Sequence, residues 1–147
     1  MASSWSVDWR LGCQKVRTIR ILIVDDSEAW RSVVTAILRY SDNYEIVGEA
    51  RDALEAVEKT RELKPEIILL SLALPQIHGF EAARQIRKLS PQTKIVFLAE
   101  FASPAALAIA LMIGAYCYVL KTDAAIELVP AVEAASQGKK FQSRAMS

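Results

Sequence analysis

Short apolar runs alternate along this chain with stretches whose apolar residues return every three or four positions. Arg20 to Val24 reads Arg-Ile-Leu-Ile-Val and stops abruptly at Asp25-Asp26-Ser27. Such a run predicts a strand buried on both faces, the habit of a parallel sheet. Trp30, Val33, Val34, Ile37 and Leu38 follow at the spacing of an amphipathic helix, with Asp26 or Ser27 placed to cap it. The alternation repeats. Tyr44–Ala50 predicts a second strand, and Asp52–Leu63 a helix with Ala53, Val57 and Thr60 on one face, ended by Pro65. Glu66–Ser71 predicts a third strand, and Gly79–Leu89 a helix with Phe80, Ala83 and Ile86 inward. Lys94–Ala99 and Tyr116–Leu120 complete the strands, with helices over Pro104–Ile113 and Asp123–Gln137. Gly138 reads as a C-cap, and Pro130 must kink the last helix or lie in its first turn.

Five strand–helix units in a row imply right-handed crossovers. The expected fold is α/β: a doubly wound five-stranded parallel sheet with helices on both faces, spanning residues 19–140. Residues 1–18 read as an N-terminal extension and 141–147 as a C-terminal tail. Sites in such sheets lie beyond the carboxyl ends of the strands. That points to Asp25, Asp26, Ser71, Ala99, Glu100, Lys121 and Thr122.

Composition narrows the function. The chain is 52% hydrophobic over 147 residues, enough for a core without disulfides or metal. Its net charge is +1, from 18 basic and 17 acidic residues, with no basic stripe, so direct nucleic-acid binding is not expected. Cys13 and Cys117 lack metal-ligand spacing and read as free thiols in a reducing compartment in preference to a disulfide. Residues 101–120 carry no charge, but Ser103-Pro104 and Gly114 break them into a helix and a strand, so no membrane span is expected. With no apolar leader in the first residues, the expectation is a cytoplasmic protein that binds other proteins and is not an enzyme.

Asp25 and Asp26 end the first strand, Ser71 the third and Lys121 the fifth. Paired carboxylates suit a hard cation such as Mg²⁺, and a lysine across the pocket would neutralise a phosphoryl group. Equally, the two aspartates serve as a helix cap and macrodipole partner. No glycine-rich phosphate loop follows the first strand, which disfavours a nucleotide or other small ligand.

Several segments together carry a resemblance: Ile21-Leu-Ile-Val-Asp-Asp-Ser-Glu28, Val47-Gly-Glu-Ala50, Leu74-Pro-Gln-Ile-His-Gly-Phe-Glu-Ala-Ala-Arg84, Gly114-Ala115 and Tyr118-Val-Leu-Lys121. From about Thr18 to Phe141 the chain resembles a CheY-like (flavodoxin-like) response-regulator receiver domain of two-component phosphorelay signalling. It is nearest to the bacterial receivers that precede LuxR-type DNA-binding domains in the NarL family. The resemblance implies that Asp25 and Asp26 bind Mg²⁺, that Lys121 holds a phosphoryl group and that Tyr118 is the aromatic that turns inward on activation. Two positions depart. Ser71 stands where the family has its phospho-acceptor aspartate, and Ala99 where it has the strand-four hydroxyl. A serine hydroxyl is a weak nucleophile without a base, and the missing carboxylate leaves at most weak Mg²⁺ binding. The expected function is therefore a pseudo-receiver that signals by phosphorylation-independent contacts. The alternative is a Mg²⁺-dependent receiver using a substitute nucleophile, which regulates transcription through a partner or through a DNA-binding domain outside this chain.

Remaining residues refine this picture. His78 reads as a solvated loop residue, in preference to a relay histidine or zinc ligand. The helix Pro104–Ile113 is apolar all round, so Ile109 or Met112 must face away from the sheet, and Tyr116 and Cys117 extend the patch. That predicts a protein interface, with homodimerisation through the fourth helix and fifth strand. The competing occupant is the chain's own arm, where Trp5, Val7 and Trp9 alternate. Lys139, Lys140 and Arg144 read as a solvated basic linker.

Overall fold

The structure, a computed structural model, describes residues 5–7, 15–75 and 77–146, with side chains placed from Thr18 onward except Gln76 and Met146. The main sheet contains β1 (Ile19–Val24), β2 (Tyr44–Ala50), β3 (Ile67–Ser71), β4 (Lys94–Ala99), β5 (Cys117–Leu120) and β6 (Phe141–Gln142). Its strand order is β2-β1-β3-β4-β5-β6, and every pair is parallel. The helices are α1 (Glu28–Leu38), α2 (Ala53–Leu63), α3 (Gly79–Leu89), α4 (Pro104–Ile113) and α5 (Ala124–Ser136).

The apolar runs are strands for the reason the pattern gives. In β1, Ile21 and Ile23 enter one half of the core while Leu22 and Val24 enter the other. Both faces are buried, so the two-residue period of a strand shows no polar alternation. The half against α2, α3 and α4 is rich in alanine: Ala53, Ala56, Ala82, Ala83 and Ala110 let the helices sit close. The other half is filled by Val34 and Leu38 of α1 with Leu128, Ala131, Val132 and Ala135 of α5.

Helix ends follow local chemistry. Ser27, Asp52 and Ser103 each accept a backbone N–H in the first turn of α1, α2 and α4. α2 ends at Lys64 in a left-handed conformation, φ 46°, ahead of Pro65. α4 ends at Gly114, φ 102°. Pro130 lies in the middle of α5, on its exposed side.

The parallel α/β fold is as expected, and two details differ. The sheet has six strands, because residues 141–142 pair with β5; the tail is no solvated linker there. The buried stripe of α1 is Arg31, Val34 and Leu38, while Val33 faces solvent. The helix is turned so that a long polar side chain, with partners at the sheet edge, takes a core-facing place. Within the N-terminal extension, residues 5–7 and 15–17 form an antiparallel pair in the register Trp5–Arg17. Trp9, Cys13 and the side chains of Trp5 and Val7 lie outside the described residues, and so does coverage of α4 by the arm. No described helix is long and apolar enough to cross a membrane.

Candidate functional site

The carboxyl ends of β1, β3, β4 and β5 bring Asp25, Ser71, Ala99 and Lys121 to one edge of the sheet. Asp25 follows the last residue of β1, and its N–H donates to the Ala50 carbonyl of β2. Its carboxylate is buried and accepts on both oxygens. Oδ1 accepts the Ser27 N–H at 2.8 Å, and Oδ2 takes the Lys121 ammonium at 2.6 Å. Lys121 opens a 3₁₀ turn after β5, and its ammonium also lies 5.2 Å from the centre of the Trp30 ring. Asp26, one residue on, is exposed.

Ser71 ends β3 and is buried. Its hydroxyl donates to the Ala73 carbonyl at 3.4 Å, a weak bond within its own loop. That loop folds tightly over the strand end, with the Gly79 N–H on the Leu72 carbonyl at 2.9 Å and the Leu72 N–H on the Leu98 carbonyl at 3.1 Å. A Cβ on Gly79 would stand 2.8 Å from the Leu72 Cα, so the close approach requires glycine here. Ala99 is buried at the end of β4, opposite Leu120 and one residue beyond Leu98, the partner of Ser71, and offers no hydroxyl. Tyr118 is buried with the α4 half of the core, and its hydroxyl donates to the Phe101 carbonyl at 3.4 Å. Burial pushes its phenol above the usual range.

Two residues of this site escaped the sequence reading. Arg31 Nη1 donates to the Asp25 carbonyl at 2.6 Å while Nε meets Glu49 at 3.0 Å, so it ties the end of β1 to β2. Trp30 roofs Lys121, and its indole Nε1 is buried without a partner among the described residues. Both follow Ser27 by three and four positions, where a first helical turn faces the strand ends, and that spacing was the available signal.

The donor set is thin for a hard divalent cation. A Mg²⁺ site needs several oxygen ligands with free lone pairs. Here Asp26 is free, Asp25 is committed to Lys121 and Ser27, and Ser71 supplies no carboxylate. Among the described residues no group of three or more His, Cys, Asp or Glu could hold a metal.

The other candidates separate. His78 is exposed, as expected of a loop residue, but it also caps α3: Nδ1 accepts the Phe80 N–H at 3.1 Å. On α4 only Ala110 is buried, and Met112 is 86% exposed. Ile109, Leu111 and Phe101 are exposed beside it. Tyr116 lines a small groove together with Leu107, Ala110 and Leu111 of α4. It is half-buried, with the Lys140 and Lys94 ammonium groups 5.1 and 5.8 Å from its ring centre. Cys117 is a buried free thiol.

Comparison with known proteins bears on this geometry. Residues 21–133 match the response regulator receiver domain family. The response regulator protein VraR of Staphylococcus aureus is 38% identical over 122 residues, which cover 83% of this chain and 58% of VraR. The chain therefore spans 58% of the length of the curated relatives it matches. A LuxR-family two-component response regulator from Aurantimonas sp. superposes with a TM-score of 0.84 at 34% identity, covering 88% of this chain and 92% of that one. The response regulator domain of Thermotoga maritima CheB gives 0.75 at 33% identity, covering 80% and 95%. The receiver domain of Escherichia coli RcsB, at 24% identity and a TM-score of 0.82 over 87% and 100% of the two chains, shares the fold.

Proposed function

The chain belongs to the response regulator receiver family, and we propose that it serves two-component signalling as a pseudo-receiver, an interaction module that works without accepting a phosphoryl group. One observation carries this reading: the strand-three acceptor position is a buried serine, with Lys121 already neutralised by Asp25 at 2.6 Å. An unactivated hydroxyl is a poor nucleophile, and the base it would need is spent on a lysine. Ala99 removes the hydroxyl that would report on an incoming phosphoryl group. The buried Tyr118 supports a pocket held in one arrangement. The module binds protein partners, including a second copy of itself, through the apolar face of α4 around Ile109 and Met112, in the cytoplasm. VraR is a response regulator of which this chain matches little more than half. Any transcriptional output is accordingly assigned to a partner or to a separate DNA-binding unit.

The test is intact-mass spectrometry after incubation with acetyl phosphate and Mg²⁺, run beside a Ser71→Asp variant. The expected result is no phosphoryl adduct on the native chain. A labile, Mg²⁺-dependent adduct on the native chain would overturn the reading and restore a phospho-accepting receiver with a substitute nucleophile.

A further inference from the structure

The sixth strand covers an edge that a five-stranded sheet leaves open. Without it, the outer side of β5 would present the Tyr116 and Tyr118 carbonyls and the buried Leu120 N–H to solvent or to another chain. Unpaired strand edges of this kind recruit extended segments. We propose that the outer edge of β5 is a docking site for an extended partner segment of the pattern Lys-aromatic-polar-Ser, and that residues 140–143 are its built-in, displaceable occupant.

The pattern is read from the contacts. The Phe141 N–H donates to the Tyr116 carbonyl at 3.1 Å and the Ser143 N–H to the Tyr118 carbonyl at 2.9 Å. Ser143 is fully buried, and its Oγ accepts the Leu120 N–H at 2.8 Å. The Lys140 ammonium donates to the Ala115 carbonyl at 3.1 Å above the Tyr116 ring. Phe141 packs on the core half that contains Cys117 and Val119. Backbone bonds supply generic affinity, and the Lys140, Phe141 and Ser143 side chains supply selection.

Three features make the occupant releasable. Its strand register is two residues long. It is joined to α5 through Gln137–Lys140, an exposed turn in which Gly138 has φ 75° and open space around its Cα. Its closed position also leaves a polar group unsatisfied. Glu127 is 7% exposed, with Oε1 on the Arg144 N–H at 3.1 Å and Oε2 buried without a partner among the described residues. A buried carboxylate oxygen lacking a donor opposes closure, and release of the segment returns it to water. Between the strand and α4 lies a small groove of about 110 Å³, walled by Lys140, Phe141 and Gln142 on one side and by Leu107, Ala110 and Leu111 with Tyr116 on the other. A partner segment that fills it gains contacts the chain's own residues do not make. The inference goes beyond the pseudo-receiver reading, since it does not depend on whether Ser71 accepts a phosphoryl group.

The probe is a fluorescein-labelled peptide of residues 138–146, titrated by anisotropy against the full chain and its Ser143→Pro variant, with no phosphodonor present. Proline deletes both the N–H to Tyr118 and the hydroxyl to Leu120. The variant is expected to bind the peptide about ten-fold or more tighter than the native chain, whose own segment competes at a millimolar-scale effective concentration. A peptide carrying Phe141→Asp is expected not to bind. Equal binding by variant and native chain, or equal binding of the substituted peptide, overturns the proposal. If Ser143→Pro does not fold, the native chain with a protease site inserted at Gln137–Gly138 is folded and then cut. Exchange of the freed segment for labelled peptide on dilution supports the docking site. Failure to take up the peptide after the segment is lost overturns it.

Discussion

Replacing Lys121 by methionine keeps the stem that lies against Trp30 and deletes the ammonium 2.6 Å from Asp25. The Asp25 side chain is 2% exposed and that of Lys121 15%, so solvent screens this pair far less than a surface pair. At an effective dielectric of about 20, the gross attraction at this distance is about 6 kcal/mol. Desolvation of both ions offsets much of it, and the measurable loss on deleting one partner of a buried pair is about 3–5 kcal/mol. In Lys121→Met the carboxylate keeps the Ser27 N–H as a donor, so the lower end, about 3 kcal/mol, is expected. Asp25→Asn costs less, about 1–2 kcal/mol, because the lysine can extend its head toward water. The double variant leaves no unpaired charge and is expected to be no less stable than Lys121→Met alone, which makes the cycle non-additive by about 1–2 kcal/mol. Urea denaturation followed by far-ultraviolet circular dichroism measures all four proteins; with a slope of about 1–3 kcal/mol per molar, Lys121→Met moves the midpoint down by about 1–3 M. A loss below about 0.5 kcal/mol, or single effects that add, would refute the idea that Asp25 is spent on Lys121. The same result would reopen the pocket to a cation.

Other perturbations test neighbouring parts of the argument. Gly79→Ala drives a Cβ into the backbone at Leu72 and is expected to cost about 1–3 kcal/mol in thermal or urea unfolding; a neutral result would mean the loop over Ser71 is looser than described. Met112→Glu on the exposed face of α4 is expected to leave stability within about 0.5 kcal/mol while weakening self-association in sedimentation velocity. Unchanged association would remove α4 from the interface. Burial raises the Cys117 thiol from 9.0 to about 12. Folding thus favours its protonated form, and the associated stability is complete below pH 9.0 and is lost as pH rises toward about 12. Thermal midpoints of native chain and Cys117→Ala between pH 8 and 11 are expected to converge as pH rises, and parallel curves would contradict this. Burial and the neighbouring Glu133 raise the Tyr44 phenol as well, and burial raises that of Tyr118, so an absorbance titration is expected to show both ionising at higher pH than an exposed tyrosine.

The alternation of apolar runs and helical stripes determined the parallel α/β architecture, because a strand covered on both faces has no polar positions to hide its period. It also placed Asp25, Ser71, Ala99 and Lys121 together, since parallel strands end on the same side. That a serine, Ser71, ends the third strand is likewise plain in the chain itself. What the sequence left open was decided by contacts between distant residues. Whether Asp25 is a cap, a cation ligand or half of an ion pair depends on Lys121, 96 positions away. Arg31 occupies a buried stripe that hydropathy awards to Val33, because its guanidinium finds the Asp25 carbonyl and Glu49. The sixth strand carried no signal in its two polar-flanked residues. Phe141 and Gln142 become a strand because β5 offers unpaired carbonyls and a buried N–H at its edge, and a hydrogen-bonding edge exists only once the sheet has formed.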